Sequence, residues 1–205
     1  MIYLYDAIKN YISGDRYAHT LGVERECRKL AVIFNLSESD TERLRIAALL
    51  HDITKEADEG EQLIMCTRYN IGYTLSMFST PSLFHALTGA EFARDEFSAI
   101  TDDIVYNAIK CHTTGRENMN IIDKLLLLSD YIEETRKFKN CVKLRKYFYN
   151  NVNKNNPLEI LNHALTMSFD MTMKHLIDEG KVIDIQTLRS RNYLLTECPE
   201  FDKFI

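Results

Sequence analysis

Ala47-Ala48-Leu49-Leu50-His51-Asp52-Ile53-Thr54-Lys55 drives an almost unrelieved apolar run straight into two ionisable side chains. Burying an imidazole and a carboxylate is costly unless each finds a partner, and a metal cation is one such partner. Just upstream, Ser39 followed by Glu42 has the spacing of a capping box, and Leu44, Ala47, Ala48 and Leu50 follow at helical period. This spacing predicts a helix that opens at Ser39 and carries His51 and Asp52 in its last turn.

The same period extends in both directions. Leu4, Ile8 and Tyr11, then Val23, Cys27, Leu30, Ala31 and Phe34, mark two helical segments before it. After it a helix is predicted over 57–69, a loop over 71–79, and a helix containing His85 behind Pro81, a favoured first-turn residue. Thr101 is placed to cap a helix bearing Val105, Ala108, Ile109 and His112, with Gly115 at its end. The segment 121–133 is the most apolar and holds Asp130 near its end. Asn-rich 150–157 reads as the clearest loop, with helices expected over 158–178 and 185–195. Only 3 Pro and 7 Gly interrupt 205 residues. The expectation is one all-α domain over 1–205, with no internal repeat or linker.

Composition narrows the function classes. A formal net charge of −5 lacks the broad positive field that attracts nucleic-acid backbones, so no nucleic-acid partner is expected. No apolar run approaches the roughly 20 residues that span a bilayer, and Met1 to Asp6 lacks the blocks of a secretory signal. No membrane partner is expected, the cytoplasm is the expected compartment, and a homodimer is left open. Five dispersed cysteines, Cys27, Cys66, Cys111, Cys141 and Cys198, form no Cys-x-x-Cys pair and read as reduced, mostly buried thiols.

A lone helical histidine is more often packed or capping than a ligand, so the weight falls on a set. Neighbouring helical side chains diverge by roughly 100°, yet near a helix end His51 and Asp52 can approach one ion from two sides. His19 and Asp130 would complete the site from other helices. Imidazole mixed with carboxylate suits iron, manganese, cobalt or zinc better than calcium.

The ordered set His19, His51-Asp52, Asp130 resembles the H…HD…D signature of HD-domain phosphohydrolases. Longer blocks are similar to the YqeK family: Arg16 to Val23, Ala47 to Lys55, His85-Ala86-Leu87-Thr88-Gly89-Ala90, His112-Thr113-Thr114-Gly115-Arg116 and Ser129-Asp130-Tyr131-Ile132-Glu133. The resemblance implies an all-helical HD-domain bundle with the metal between helices. It further implies an iron centre of one or two ions and symmetrical hydrolysis of diadenosine tetraphosphate to two ADP by a metal-bound water. Glu134 departs from the family's proline, and the chain matches only loosely after Phe138.

Asp52 and Lys55 are the candidates for direct catalytic action. Lys55 shares a helix face with the His-Asp pair and can neutralise phosphate charge; Arg16, three residues before His19, is read in the same way. His19, His85, His112, Glu133 and Arg136 complete the expected substrate contacts. His85 and His112 either ligate a second ion or donate to phosphate, and the sequence leaves both open. Glu134, Asp123 and Lys124 read as solvated, and His163 and His175 as structural or surface residues. Gly22 and Gly89, inside predicted helices, imply close packing. Two other functions are weighed: another nucleotide phosphohydrolase such as a nucleotidase, and a non-catalytic nucleotide-binding regulator. Loss of a core ligand would mark the regulator, and all four are present; no Gly-Tyr-Pro follows His112, against a cyclic-dinucleotide enzyme.

Overall fold

The computed structural model describes residues 2–154 and 156–197, and the described residues are helical with no strand. In chain order the α-helices are α1 (Ile2–Ala7), α2 (Gly14–Ile33), α3 (Glu38–Leu50), α4 (Glu59–Arg68), α5 (Leu75–Ser79), α6 (Phe84–Glu96), α7 (Asp103–Cys111), α8 (Ile121–Ile132), α9 (Lys139–Asn151), α10 (Pro157–Asp178) and α11 (Ile185–Glu197). Two 3₁₀ turns, Ile8–Asn10 and Pro81–Leu83, lead into α2 and α6.

Several starts are set by side chains that satisfy the first free N–H groups of a helix. Ser37, two residues ahead of the expected Ser39, caps α3 by accepting from Asp40 N at 3.1 Å, while Glu42 turns to Arg45. Asp102 rather than Thr101 caps α7; the Thr101 hydroxyl donates to Ala93 O instead. Asp58 with Glu61, and Asn120 with Asp123, form reciprocal boxes at α4 and α8. Gly115 follows α7 at φ +65°, where a Cβ would meet Phe169 and Ser190, so glycine alone fits that turn without strain.

At the centre α2, α3, α7 and α8 pack on one another; α6 lies on α7, and α10 joins α8, α9 and α11. A helix apolar all round belongs inside, and α8 does so: Leu125, Leu126 and Leu128 are fully buried. Each such leucine contributes about 1.5–3 kcal/mol over its exposed state. One hydrophobic cluster runs from Leu4 to Leu194, and a small one joins Cys66, Met77 and Phe84. Cys27, Cys66, Cys111 and Cys141 are free and buried; Cys198 lies outside the described residues. Among the described residues no helix is long and apolar enough to cross a membrane.

The solvated reading of Asp123 and Lys124 is overturned. Asp123 is fully buried because Arg116 reaches its carboxylate at 2.5 Å and the α8 cap uses the same group, while Lys124 reaches Glu197 at 2.7 Å. The 150–157 loop is shorter than expected, since α9 runs through Asn151. The sequence expectation places no helix there, although Cys141, Leu144, Phe148 and Val152 are buried at helical spacing.

Candidate metal centre and active site

Five elements deliver polar side chains to one point. His19 projects from the middle of α2. His51 is the C-cap of α3, and Asp52 follows in the turn, so the pair lies just past the helix rather than in its last turn. His85 opens α6, His112 ends α7, and Asp130 lies in the last turn of α8.

The imidazoles are oriented through their Nδ1 atoms. His51, His85 and His112 each set Nδ1 on the main-chain carbonyl three residues earlier, Ala48 at 2.8 Å, Ser82 at 2.5 Å and Ile109 at 2.7 Å. His19 sets Nδ1 on Glu133 Oε1 at 3.1 Å. An N–H donated at Nδ1 leaves Nε2 of His51, His85 and His112 with its lone pair, and the Nε2 atoms of all four rings face the carboxylates of Asp52 and Asp130.

Asp52 stands between two groups of nitrogens. Its Oδ2 lies 3.5 Å from His51 Nε2 and 3.9 Å from His19 Nε2; its Oδ1 lies 3.2 Å from His85 Nε2 and 3.6 Å from His112 Nε2. Asp130 Oδ1 is 3.0 Å from His19 Nε2 and 3.9 Å from His51 Nε2. Three overlapping sets, His19-His51-Asp52, His51-His112-Asp130 and Asp52-His85-His112, each bring three donor atoms within 4.8 Å of one another. The Nε2 atom of His51 is buried with no hydrogen-bond partner, and that of His19 lies against Asp130. Imidazole nitrogens converging on two carboxylates, one of these nitrogens buried without a partner, fit a divalent cation in donor chemistry and convergence.

Electrostatics agree with that fit. Burial pushes His51 and His85 down to about 4, so both are neutral, as ligands must be. Asp52 and Asp130 stay well below the usual carboxylate range: burial opposes this, and the histidines, with Arg136 beside Asp130, overcome it. Burial also lowers His19, but hydrogen bonds to Asp130 and Glu133 raise it to about 9. The protonated ring supplies the positive charge those carboxylates call for.

The other expected site residues surround this centre. Arg16 Nη1 pairs with Asp52 Oδ2 at 2.7 Å and Arg136 Nη2 with Asp130 Oδ1 at 2.5 Å, while the Nε atom of each is buried without a hydrogen-bond partner. Lys55 Nζ lies 3.1 Å from His85 Nδ1, and burial lowers its pKa. Glu133, expected as a substrate contact, is fully buried; its carboxylate takes His19 Nδ1, the Thr135 N–H at 2.7 Å and the Thr135 hydroxyl at 2.5 Å. Glu134 is exposed and pairs with Lys29. His163 is buried away from the cluster, and His175 is exposed beside Glu179.

Residues outside the sequence expectation hold the frame. Gln62 Nε2 donates to Thr54 O at 2.6 Å, and the Thr88 hydroxyl donates to Gln62 Oε1 at 2.6 Å. Thr54 Oγ1 lies 2.9 Å from Thr88 Oγ1 and donates to His85 O at 3.1 Å, which ties the turn carrying Asp52 to α6. Gly89 packs there: a Cβ would come within 3.3 Å of Thr54 Oγ1 and 3.6 Å of His51 O. A Cβ at Gly22 would overlap the Glu133 carboxylate. Beside the cluster opens a cleft of about 540 Å³, with Arg16, Arg136, Lys137 and Phe138 along one part of its wall and the carboxylates Asp15, Glu56 and Glu133 also on its border. That volume is ordinary for a small-molecule site.

A helical bundle that gathers histidines and aspartates from the middle of one helix and the ends of others defines an HD-domain hydrolase, and the HD domain family matches residues 16–135. The chain belongs to that family and, within it, to the symmetrical bis(5'-nucleosyl)-tetraphosphatases of the YqeK type. It is 32% identical over 190 residues to the protein of that name from Halalkalibacterium halodurans, covering 93% of this chain and 94% of the relative. The Bacillus subtilis protein of the same name is 29% identical over 189 residues, covering 92% and 94%. The fold also matches the crystal structure of a predicted HD superfamily hydrolase involved in NAD metabolism from Clostridium acetobutylicum. The TM-score is 0.82 at 35% identity, covering 95% of this chain and 96% of the other.

Proposed function

We propose that this protein cleaves diadenosine tetraphosphate symmetrically into two ADP at a metal centre held by His19, His51, Asp52 and Asp130. The observation that carries the reading is the set of four imidazole Nε2 atoms turned onto Asp52 and Asp130, that of His51 buried without a partner. The substrate follows the names of the two relatives above. A bound cation would supply Lewis acidity and lower the pKa of water.

Cleavage into equal halves requires water to add to a phosphorus one step in from an end. The central P–O–P bond breaks, one ADP leaves, and the added oxygen stays on the other. Arg16 and Arg136 pair with the ligand carboxylates and face the cleft, where a polyphosphate needs positive charge. Glu133 holds the ring of His19 rather than touching substrate. Lys55 stands beside His85 at the inner wall, where its ammonium can steady a phosphate oxygen. Asp52, which faces both groups of nitrogens, supports placing His85 and His112 around a second ion.

We take iron as the resident metal, with manganese, cobalt or zinc as substitutes of similar donor preference. The cytoplasm is the compartment in keeping with free, buried thiols. We take 1–205 as one HD-type unit, since one hydrophobic cluster joins α1 to α11.

The test is to load anaerobically purified protein with iron, add diadenosine tetraphosphate and separate the products, with His51→Ala in parallel. ADP as sole product, lost in the variant, is expected. ATP with AMP would refute symmetrical cleavage. Turnover confined to mononucleotides or NAD, the latter suggested by the Clostridium relative, would reassign the substrate.

A further inference from the structure

We propose that a second cleft, formed where the end of α8, the start of α9 and the C-terminal part of α10 meet, receives the second nucleoside of the substrate. The inference rests on the dinucleoside reading above. Its basis is that Arg136 and Phe138 border both this cleft and the one beside the metal cluster. Arg136 is anchored to the cluster through Asp130 at 2.5 Å. The two clefts therefore diverge from a wall fixed to the reacting centre.

A molecule cut at its midpoint needs that geometry. With the central phosphates at the cluster, one nucleoside arm leaves on each side, and each needs a surface. The second cleft has about 380 Å³, ample for a nucleoside. Tyr131, Phe138 and Met171 offer flat or polarisable surface to a purine, Thr172 and Asn140 offer hydrogen bonds, and Lys139 adds positive charge near the phosphates. Phe138 is 73% exposed, as a stacking platform must be before its base arrives.

A third cleft of about 460 Å³, with Tyr11, Ile64 and Phe92, also adjoins the first, but its shared wall is Glu56 and Glu61 lies beyond it. Carboxylates at that junction repel a polyphosphate. The junction with the cleft between α9 and α10 carries Arg136 in place of Glu56, and that difference selects it.

The experiment compares two substrates in the metal-loaded protein: diadenosine tetraphosphate, and adenosine tetraphosphate, which lacks the second nucleoside. Asn140→Trp and Thr172→Trp fill the proposed subsite from opposite walls, Asn140 being exposed and tolerant of change; Ile64→Trp fills the third cleft. Either of the first two variants is expected to raise KM for the dinucleotide about tenfold, the scale of one lost stacked base, and to leave the mononucleotide unchanged. Equal effects on both substrates, no effect, or the dinucleotide-specific effect appearing in Ile64→Trp would overturn the assignment. Calorimetric titration with ADP keeps the two readings separable. Two ADP per chain, falling to one in Asn140→Trp, supports the subsite even if the dinucleotide is not hydrolysed; one ADP in the parent protein refutes it even if hydrolysis is symmetrical.

Discussion

The candidate metal site has two halves held by different means. His51, His85 and His112 are at most 2% exposed, and each ring is set by a main-chain carbonyl three residues earlier. His19 and Asp130, with side chains 12% and 19% exposed, are set by other side chains, Glu133 and Arg136. The first device is local: once a helix end forms, the ring is placed. The second needs α2 to meet the end of α8 and depends on a balance of charge. The inner half is thus organised by backbone before any ion arrives, whereas the outer half is organised by charges that an ion would replace.

Asp52 touches both halves, so removing it is the most destructive change. Asp52→Ala is expected to cut turnover by more than the roughly 100-fold that marks the upper end for losing an outer partner of a ligand. Bound metal per chain, measured by elemental analysis, should fall with it. Turnover near the parent level would mean that the two halves act independently.

Glu133→Gln separates the halves. It keeps the shape but removes the charge that holds His19, so metal affinity should fall about 10–100-fold in a metal titration while His51, His85 and His112 keep their carbonyl bonds. Gly22→Ala should act in the same direction, because its Cβ displaces the same carboxylate. If Gly22→Ala altered stability but not affinity, the placement of Glu133 would be structural alone.

The outer half should also carry the pH dependence. In the metal-free protein His19 is raised to about 9, above its unfolded value near 6.5. Its contribution to stability is therefore fully present below about pH 6.5 and is lost as pH rises through 9. A cation must displace that proton, so apparent metal affinity should rise about tenfold per pH unit up to about 9 and then level off. His51 and His85, already neutral above about 4, should add no slope in this window. Calorimetry in buffers of different ionisation enthalpy would count the released proton, and Glu133→Gln should shift the break point downward.

This division also explains what was legible in the sequence. His51 and Asp52 stand out because ionisable residues end an apolar helical run, whereas His19, His85, His112 and Asp130 were legible through blocks that resemble the family. The carbonyl bonds of His51, His85 and His112 follow from their places at helix ends, although the structure moves His51 one step past α3. Long-range partners left less signal. Glu133 reads equally well as a substrate contact or as the holder of His19 until α2 and α8 are docked. Asp123 and Lys124 look solvated until they are seen paired with Arg116 and Glu197 inside the fold. Gln62 and Thr88 carry no charge and match no motif, yet they join the turn after α3 to α6. Only the apolar period of α9 could have been counted in advance.

That uncharged network offers the finest test of the contrast. Thr88→Val keeps the volume of a fully buried side chain but deletes a hydroxyl that donates to Gln62 Oε1, lies 2.9 Å from Thr54 Oγ1 and also reaches Phe84 O. A buried acceptor left unpaired costs about 1–3 kcal/mol, so urea unfolding should show a loss of that size. The carbonyl bonds of His51 and His85 do not pass through Thr88, and the affinity of the folded protein for metal should change by less than about tenfold. A larger fall in affinity would show that the inner half is held by tertiary hydrogen bonds as much as by its helix ends, which would erase the distinction between the halves. A loss confined to stability would leave the backbone as the element that places those rings.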